Sequence, residues 1–196
     1  MGMAVYQRLL LLEAELLSIS RQHYAIPQAV PGDLPTQLLP STPGFSGMAH
    51  ISGDVAPNVF LGELRSIPTV SPAQWALLRQ KKTLLTTATD ETGARRLFLV
   101  RLSDSDTSAV VAEINGDYLW DLAGSMTLPT EMFMCVFGTA PEVLFCSPSA
   151  PATLRAQRVG QGEGGSTSLL EWRDEQDSYI AGYWAIPLRY QFSTAP

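Results

Sequence analysis

Residues 83–115 read TLLTTATDETGARRLFLVRLSDSDTSAVVAEIN, and this stretch decides the fold class. Thr83 to Thr89 is rich in β-branched and apolar residues, and Asp90 to Gly93 has the composition of a tight turn. The chain resumes as a strand from Arg95 to Leu102, and a third strand from Ser108 to Asn115 follows a polar turn. Short strands separated by turn residues predict antiparallel hairpins rather than the strand–helix alternation of a parallel sheet.

The second half of the chain continues as strands interrupted by two short helices. A second hairpin is predicted around the turn Thr139 to Glu142, and two further strands follow it. The predicted strands are Met132–Gly138, Val143–Ser147, Thr167–Arg173 and Ser178–Gln191, and the predicted helices are Asp117–Ala123 and Ala152–Arg158. Antiparallel hairpins with a few helices predict an α+β domain with a mainly antiparallel sheet, one face of which lies under helices and connectors.

The first 25 residues carry an apolar stripe with helical spacing. The stripe consists of Val5, Leu9, Leu12, Leu16 and Ile19, which recur at steps of four and three. This periodicity predicts one long helix over about residues 4–25. Two packings suit such a seam: burial against the helix's own domain, or a contribution to a homodimer.

A proline-rich connector follows this helix. The prolines between Pro27 and Pro43 break every helical or strand periodicity within a few residues. After the connector, the segment Ser71–Gln74 has the form of a capping box with Pro at the first helical position, which predicts a short helix to about Gln80. We therefore divide the chain into residues 1–45, which hold the first helix and the connector, and residues 46–196, the main domain.

The composition describes a globular, acidic protein. Hydrophobic residues make up 45% of the chain and charged residues only 16%, which is unlike the composition of disordered proteins. The 13 basic residues are scattered among 19 acidic ones, for a net charge of −6, so nucleic acid is not an expected partner. The apolar run Leu9 to Leu12 is far shorter than the roughly 20 residues that span a bilayer.

The sequence offers few residues for metal binding or catalysis. His23 and His50 are the only histidines, and neither has a partner at metal-ligand spacing or a Gly-x-Ser-x-Gly turn to serve. The acidic turn Asp104–Ser108 begins like a calcium loop but lacks the loop's glycine and final glutamate. The run Gly160–Gly165 follows a predicted helical turn and has no lysine near it, unlike a phosphate-binding loop. We therefore expect no metal and no cofactor.

The two cysteines are placed to face each other in the second hairpin. If Gly138 pairs with Val143 across the turn, a regular ladder sets Cys135 directly opposite Cys146. Residues opposed in this way have Cα atoms about 4.5–5.5 Å apart, which is within disulfide range. Two alternatives follow: a cross-strand disulfide, which would indicate an oxidising compartment, or two buried thiols in a β core.

Several segments carry a family resemblance. They are VVAEINGDYLW at 110–120, the hairpin segments CVF at 135–137 and VLFCS at 143–147, and YIAGYW at 179–184. Together they resemble the extracytoplasmic Cache-type, PAS-like sensor domains of bacterial transmembrane signalling proteins, particularly those attached to diguanylate cyclase and phosphodiesterase modules. The resemblance covers about residues 83–192, and the predicted first helix fits the long N-terminal helix of that superfamily.

The resemblance implies a function and a site. It implies that residues 46–196 form a PAS-like sensor domain, periplasmic and tethered to the inner membrane by segments absent from this chain. Such a domain relays the binding of a small molecule to a cytoplasmic output domain, such as a cyclic-di-GMP enzyme, and is not itself an enzyme. Because PAS-like folds line their cavity with the short helix after the third strand, the candidate ligand-binding residues are Arg96, Arg101, Tyr118 and Trp120.

Two alternatives belong to other functional classes. One is a structural PAS-like domain that binds no ligand and dimerises through its first helix. The other is a small soluble hydrolase or lyase, which requires a nucleophile and a base that converge in the fold.

Overall fold

The computed structural model describes residues 2–25, 42–52, 55–103, 107–120, 132–138, 143–147, 150, 151, 167–173, 178–184, 192 and 193. Its helices are α1 (Gly2–Ala25), α2 (Pro72–Arg79) and α3 (Gly116–Trp120). Its strands are β1 (Phe45–Ser52), β2 (Val55–Gly62), β3 (Thr83–Thr89), β4 (Arg95–Leu102), β5 (Ala109–Ile114), β6 (Cys135–Phe137), β7 (Val143–Cys146), β8 (Thr167–Arg173), β9 (Ser178–Trp184) and β10 (Phe192–Ser193). A long first helix followed by a mainly antiparallel sheet confirms the predicted α+β class.

The chain divides into two compact units. One unit comprises residues 4–121 and 188–196, and the other comprises residues 1–3 and 122–187. The first unit contains a six-stranded sheet with the order β10-β3-β4-β5-β1-β2. In this order, strands β3, β4, β5, β1 and β2 each pair antiparallel with the next. Strand β10 pairs in parallel with β3 at the edge of the sheet. The long helix and the large sheet therefore belong mainly to one compact unit.

The register of the central strands assigns their side chains to two faces of the sheet. Val100 on β4 lies opposite Leu84 on β3 and Val111 on β5, so these three side chains share one face. That face packs on α2 through a buried core made of Leu78, Leu84, Phe98, Val100, Ala109 and Val111. On the opposite face, Thr83 and Arg101 contact Glu13 of α1. Helix α2 thus covers one face of the sheet and helix α1 covers the other.

Helix α1 buries the apolar stripe that its sequence predicts. The five residues of the stripe are each at most 4% exposed, and they are Val5, Leu9, Leu12, Leu16 and Ile19. Full burial of such a side chain stabilises a fold by about 2 kcal/mol, so the stripe is a major part of this unit's core. Leu11, outside the stripe, is 61% exposed. Of the two packings that suit the seam, the structure shows burial within the helix's own chain.

Helix α1 runs antiparallel to β3 and β5. Near its start, Arg8 donates from Nη1 to the backbone carbonyls of Tyr118 and Leu119, which follow the end of β5, at 2.8 and 3.1 Å. Further along α1, Glu13 accepts a hydrogen bond from the hydroxyl of Thr83, the first residue of β3. Strand β10 runs parallel to β3, with Phe192 opposite Thr83. The C-terminal end of β10 therefore points to the end of the sheet at which α1 begins.

Helix α2 begins as the sequence predicts. The Ser71 hydroxyl accepts a hydrogen bond from the Gln74 N–H, and the Gln74 side chain accepts one from the Ser71 N–H, with Pro72 as the first helical residue. This is a complete capping box, which satisfies two backbone donors that the first turn leaves without helical partners.

The hairpin of β1 and β2 is not predicted by the sequence. Its pairing is irregular in two places, between Met48 and Ala49 and between His50 and Ser52. Pro57 lies in β2, where the strand forms the edge of the sheet and tolerates a residue without an N–H. The irregular register and the proline mask the alternation of side chains by which strands are recognised.

The second unit shows two antiparallel hairpins among its described residues, β6 with β7 and β8 with β9. Cys135 lies opposite Cys146, as predicted, with 4.1 Å between the Cα atoms, and the two side chains form a disulfide bond. Near the turn the register departs from the regular ladder, because Phe137 rather than Gly138 pairs with Val143. The irregularity is confined to the turn side of the hairpin, so the cysteines still meet.

One predicted element and parts of two others lie outside the described residues. They are the helical turn at 152–158, the last residues of the helix predicted to 123, and the continuation of β9 to 191. Within the described part of the chain, no helix is long and apolar enough to cross a membrane.

Candidate ligand-binding site

The two candidate arginines lie on opposite faces of the sheet. They are five residues apart on β4, and side chains of a strand alternate between faces. Arg96 pairs in register with Ala88 and shares the face covered by α2. Arg101 pairs in register with Val110 and reaches Glu13 on the α1 face. The two guanidinium groups therefore do not belong to one pocket.

Arg96 is engaged in the turn between β3 and β4. Its Nε donates to Oδ2 of Asp90 at 2.8 Å. Oδ1 of Asp90 accepts the side-chain hydroxyl and the backbone N–H of Thr92 and the backbone N–H of Ala94, at 2.6, 2.9 and 2.9 Å. The hydrogen bond from the Thr92 hydroxyl, followed by those from Arg96 and the two backbone amides, holds the pKa of Asp90 below its ordinary value despite the opposing effect of burial. Arg96 thus closes a hairpin turn.

Tyr118 lies in α3, at the end of the sheet where α1 begins. Its half-buried ring lies under the guanidinium of Arg8, with 5.9 Å from Cζ to the ring centroid, and the same arginine bonds to the Tyr118 carbonyl. Cation–π contact and two carbonyl bonds together hold α3 against α1. Trp120 is also half-buried, and its ring lies beside Gly116 of the same helix. A Cβ added to Gly116 would be 3.7 Å from Cδ1 of that ring.

Arg101 belongs to a polar cluster that joins α1 to the sheet. Its Nη1 donates to the hydroxyl oxygen of Thr83 at 2.9 Å and lies 3.5 Å from Oε1 of Glu13. The Thr83 hydroxyl donates in turn to the same Glu13 oxygen. The side chains of Arg101 and Glu13 are 21% and 13% exposed, so both charges are largely removed from water. Within the described part of the chain, Nε and Nη2 of Arg101 make no hydrogen bond.

A cavity of about 250 Å³ opens beside this cluster. It lies between the second half of α1, the turn after α2 and the end of β4. The side chains that line it are Leu17, Ser20, Arg21, Lys81, Arg101, Leu102 and Ser103. The cavity therefore presents three positive charges, two hydroxyls and two leucines.

Only one of the four candidate residues lines this cavity. Arg101 is level with Val110 near the start of β5, whereas Tyr118 and Trp120 follow the end of that strand. From Val110 to Ile114 a strand covers about 13 Å. The structure thus places Arg101 in the cavity and separates it from Arg96, Tyr118 and Trp120.

The other lining residues of the cavity were missed by sequence reasoning. Arg21 is on α1, Lys81 follows α2 and Ser103 follows β4, so their chain separations give no motif. One local signal exists in the structure but not in the sequence: Lys81 has a φ of 59°. A residue other than glycine rarely adopts this left-handed conformation.

The remaining chemical candidates form no second site among the described residues. Those residues hold no group of three His, Cys, Asp or Glu side chains that would bind a metal. His50 packs against Phe60, with 4.7 Å between ring centroids. The side chain of His23, the calcium-like turn at 104–106 and the glycine-rich run at 160–165 lie outside the description.

Glu113 is the most buried carboxyl group in the described part of the chain, at 1% exposure. Its Oε2 accepts the backbone N–H of Arg65 at 2.9 Å. The residue shares the α2 face of the sheet with Phe98, its partner on β4. This bond fixes the segment after β2 against the centre of the sheet, which is a structural role.

No protein-family model matches this sequence, and no curated protein matches it.

Proposed function

We propose that this chain is the extracytoplasmic, ligand-sensing domain of a membrane-bound bacterial signalling protein of the Cache type. The observation that carries the proposal is the order of its antiparallel sheet, β2-β1-β5-β4-β3, with a long helix packed on one face. A mainly antiparallel sheet that follows a long N-terminal helix is the architecture that the resemblance to PAS-like sensor domains implies. The chain's own role is binding, and catalysis belongs to a cytoplasmic output domain such as a cyclic-di-GMP enzyme.

The directions of the first helix and the last strand support this role. Helix α1 begins at the end of the sheet to which the C-terminal end of β10 points. Ser193 itself lies level with Leu84 near the start of β3, and membrane segments that continued the two elements in these directions would leave the domain on the same side. A ligand that stabilises one arrangement of the two elements over another changes the signal, and its effect is limited to its differential affinity for the two states.

The disulfide supports an extracytoplasmic location. Cys135 and Cys146 are bonded to each other across a short hairpin. Disulfides persist in oxidising compartments such as the periplasm and are rare in the bacterial cytosol, where thiols are kept reduced.

One observation favours a second candidate function, dimerisation without a ligand. Leu11 is 61% exposed on α1, on the side of the helix away from the buried stripe. An exposed leucine on a long helix is available to a second copy of the chain. In this candidate the dimer forms through the outer face of α1, because the stripe itself is buried within the chain.

The proposal is tested by two measurements on the same domain. A thermal-shift screen of small metabolites identifies compounds that bind the native state, since such compounds raise the melting temperature. The domain is then placed between the two membrane helices of a receptor diguanylate cyclase, and cyclic-di-GMP is measured with each compound. A matched control carries a flexible Gly-Ser insertion between the first membrane helix and α1, which breaks mechanical coupling without touching the domain.

We expect a compound that raises the melting temperature to change cyclic-di-GMP in the direct fusion and not in the flexible control. Compounds that stabilise the domain but leave output unchanged in both fusions would overturn the signalling role. A domain that binds no compound but elutes as a dimer, and becomes monomeric on Leu11→Glu, would establish the second candidate instead.

A further inference from the structure

The cavity beside Arg101 concentrates positive charge in an acidic protein. Arg21, Lys81 and Arg101 all line it, although the chain holds only 13 basic residues and carries a net charge of −6. The carboxylate bonded in the adjoining cluster is that of Glu13, which already accepts from Thr83 and lies against Arg101. We propose that this cavity binds a small organic anion between α1 and the sheet.

The hydrogen-bond donors of the cavity fit one anionic group. Arg101 has its Nε and Nη2 without a hydrogen bond in the described part of the chain, and its position is fixed through Nη1 by Thr83. A guanidinium held in this way presents a planar fork that matches carboxylate oxygens. Lys81 and Arg21 add two cations at the rim, where both residues are exposed. An anion thereby gains one oriented contact, with Arg101, and two further contacts with positive charges, at Lys81 and Arg21.

The apolar lining and the size of the cavity indicate what the rest of the anionic ligand is. Leu17 from α1 and Leu102 from β4 line the same space. Its volume of about 250 Å³ is below the range of about 300–1,000 Å³ that accepts drug-sized ligands. The cavity therefore suits a short carbon chain that bears an anionic group, rather than a bare inorganic ion.

The backbone at Lys81 provides a second, independent observation. Lys81 follows the C-cap Gln80 of α2 and has a φ of 59°, and its N–H bonds to the carbonyl of Leu78. This position after a helix is the one at which glycine is preferred, because it has no Cβ to strain the left-handed backbone. A lysine here costs stability and delivers a cation to the rim of the cavity. Strain of this kind clusters at ligand-binding sites, and at Lys81 the left-handed backbone also ends helix α2.

The location links binding to the helix that the proposed function uses. The cavity is walled by Leu17, Ser20 and Arg21 on α1, by the last two residues of β4, and by Lys81 and Ser103, which follow α2 and β4. An anion held between Arg101 and Arg21 therefore bridges α1 and the sheet. This inference names the ligand class of the proposed sensor. Only the signalling role of the anion rests on the proposed function, because anion binding is measured on the isolated chain.

The test compares butyrate with its neutral isostere butyramide and with inorganic phosphate, by isothermal titration calorimetry at low salt. We expect butyrate to bind and the other two not to bind, since the cavity needs both charge and an apolar body. Added salt is expected to weaken butyrate binding, because two of the three cations are exposed to screening. Equal affinity for butyrate and butyramide, or tighter binding of phosphate than of butyrate, would overturn the proposal.

Neighbouring lysines supply a matched pair of variants. Lys81→Gly and Lys82→Gly each remove one charge from the turn after α2, but only Lys81 lines the cavity. We expect Lys81→Gly to weaken butyrate binding about tenfold, or 1.4 kcal/mol, with an unchanged or higher melting temperature. Lys82→Gly is expected to leave the affinity within about twofold of the wild type.

The failure of this inference is distinguishable from failure of the proposed function. Equal butyrate affinity in the two lysine variants, or no butyrate binding to a folded wild-type chain, overturns the anion site whatever the fusion shows. Butyrate binding that Lys81→Gly weakens, with no change in cyclic-di-GMP from the fusion, retains the site and overturns its signalling role.

Discussion

Glu13 on α1 and Arg101 on β4 form an ion pair, with 3.5 Å between Oε1 and Nη1, and both side chains also bond to the hydroxyl of Thr83. Thr83 is fully buried at the start of β3, so one hydroxyl connects a helix and two strands. The polar cluster sets the position of α1 along its own axis relative to the sheet. Apolar packing alone sets that position less specifically. The same cluster orients the guanidinium that lines the cavity.

Thr83→Val tests the contribution of this hydroxyl. Valine keeps the branched shape and the strand preference but removes the donor to Glu13 and the acceptor for Arg101. Because both charged partners stay largely buried, we expect a loss of about 1–3 kcal/mol in the free energy of unfolding. Chemical denaturation measures the loss. Thr86→Val, on the same strand but the opposite face, is the control, and an equal effect of both substitutions would contradict the role of the cluster.

Leu12→Ala is expected to destabilise the first unit by about 2–5 kcal/mol, because it removes a fully buried side chain and leaves a cavity. Leu12 is 0% exposed, whereas its neighbour Leu11 is 61% exposed. Leu11→Ala therefore makes the same chemical change on the same helix, and we expect a change of under about 0.5 kcal/mol. If the two variants unfold at the same denaturant midpoint, α1 does not pack as described.

Several local signals in the sequence sufficed to predict their elements. The apolar stripe of α1 was readable because one face of the helix is buried, and the capping box at Ser71 was readable because both partners lie within four residues. The register of Cys135 and Cys146 followed from a short hairpin. In each case the determining interactions are close in sequence.

The features that sequence reasoning missed depend on contacts between distant segments. Strands β1 and β2 are held by pairing of β1 with β5, about 60 residues further along the chain, and their own pattern is broken by Pro57 and by irregular register. The four candidate ligand residues were chosen from β4 and α3, but strand alternation separates Arg96 from Arg101. The cavity joins side chains of three elements, and only the folded chain brings them together.

Glu15→Gln is expected to raise the melting temperature at neutral pH. Burial raises the pKa of Glu15 above its ordinary value, so the folded state favours the protonated carboxyl. The charged form therefore destabilises the fold once the pH exceeds the ordinary value of 4.5, and the neutral amide removes that cost. The advantage of the variant should fade as the pH falls below 4.5.

Thermal melts of wild type and Glu15→Gln from acidic to neutral pH measure this difference. Glu91→Gln, in the exposed turn after β3, is the matched control and should follow the wild type throughout. A Glu15→Gln variant that melts below the wild type at neutral pH would mean that the carboxylate is stabilising where it lies.

Asp90→Asn is expected to have the opposite dependence on pH. Hydrogen bonds from Thr92 and Arg96 lower the pKa of Asp90, so the unfolded chain binds a proton more readily than the folded one. The stability that this carboxylate supplies is present above its ordinary pKa of 3.8 and is lost as the pH falls further. The variant should therefore melt below the wild type at neutral pH, and the two melting temperatures should converge in acid. A gap that is constant with pH would exclude the carboxylate charge as its cause.

The disulfide is expected to hold the β6–β7 hairpin together. Cys135 and Cys146 are 11 residues apart, and a cross-link over a loop of this length stabilises by about 3 kcal/mol, mainly by restricting the unfolded chain. Dithiothreitol and the double substitution Cys135→Ser with Cys146→Ser should each accelerate hydrogen exchange at the backbone amides of Val136 and Phe145, which pair between the strands. Exchange in β3 and β4 should change little, because those strands belong to the other unit. Reductant should have no effect on the double-serine variant, and equal exchange at Val136 in oxidised and reduced wild type would show that the bond does not stabilise the hairpin.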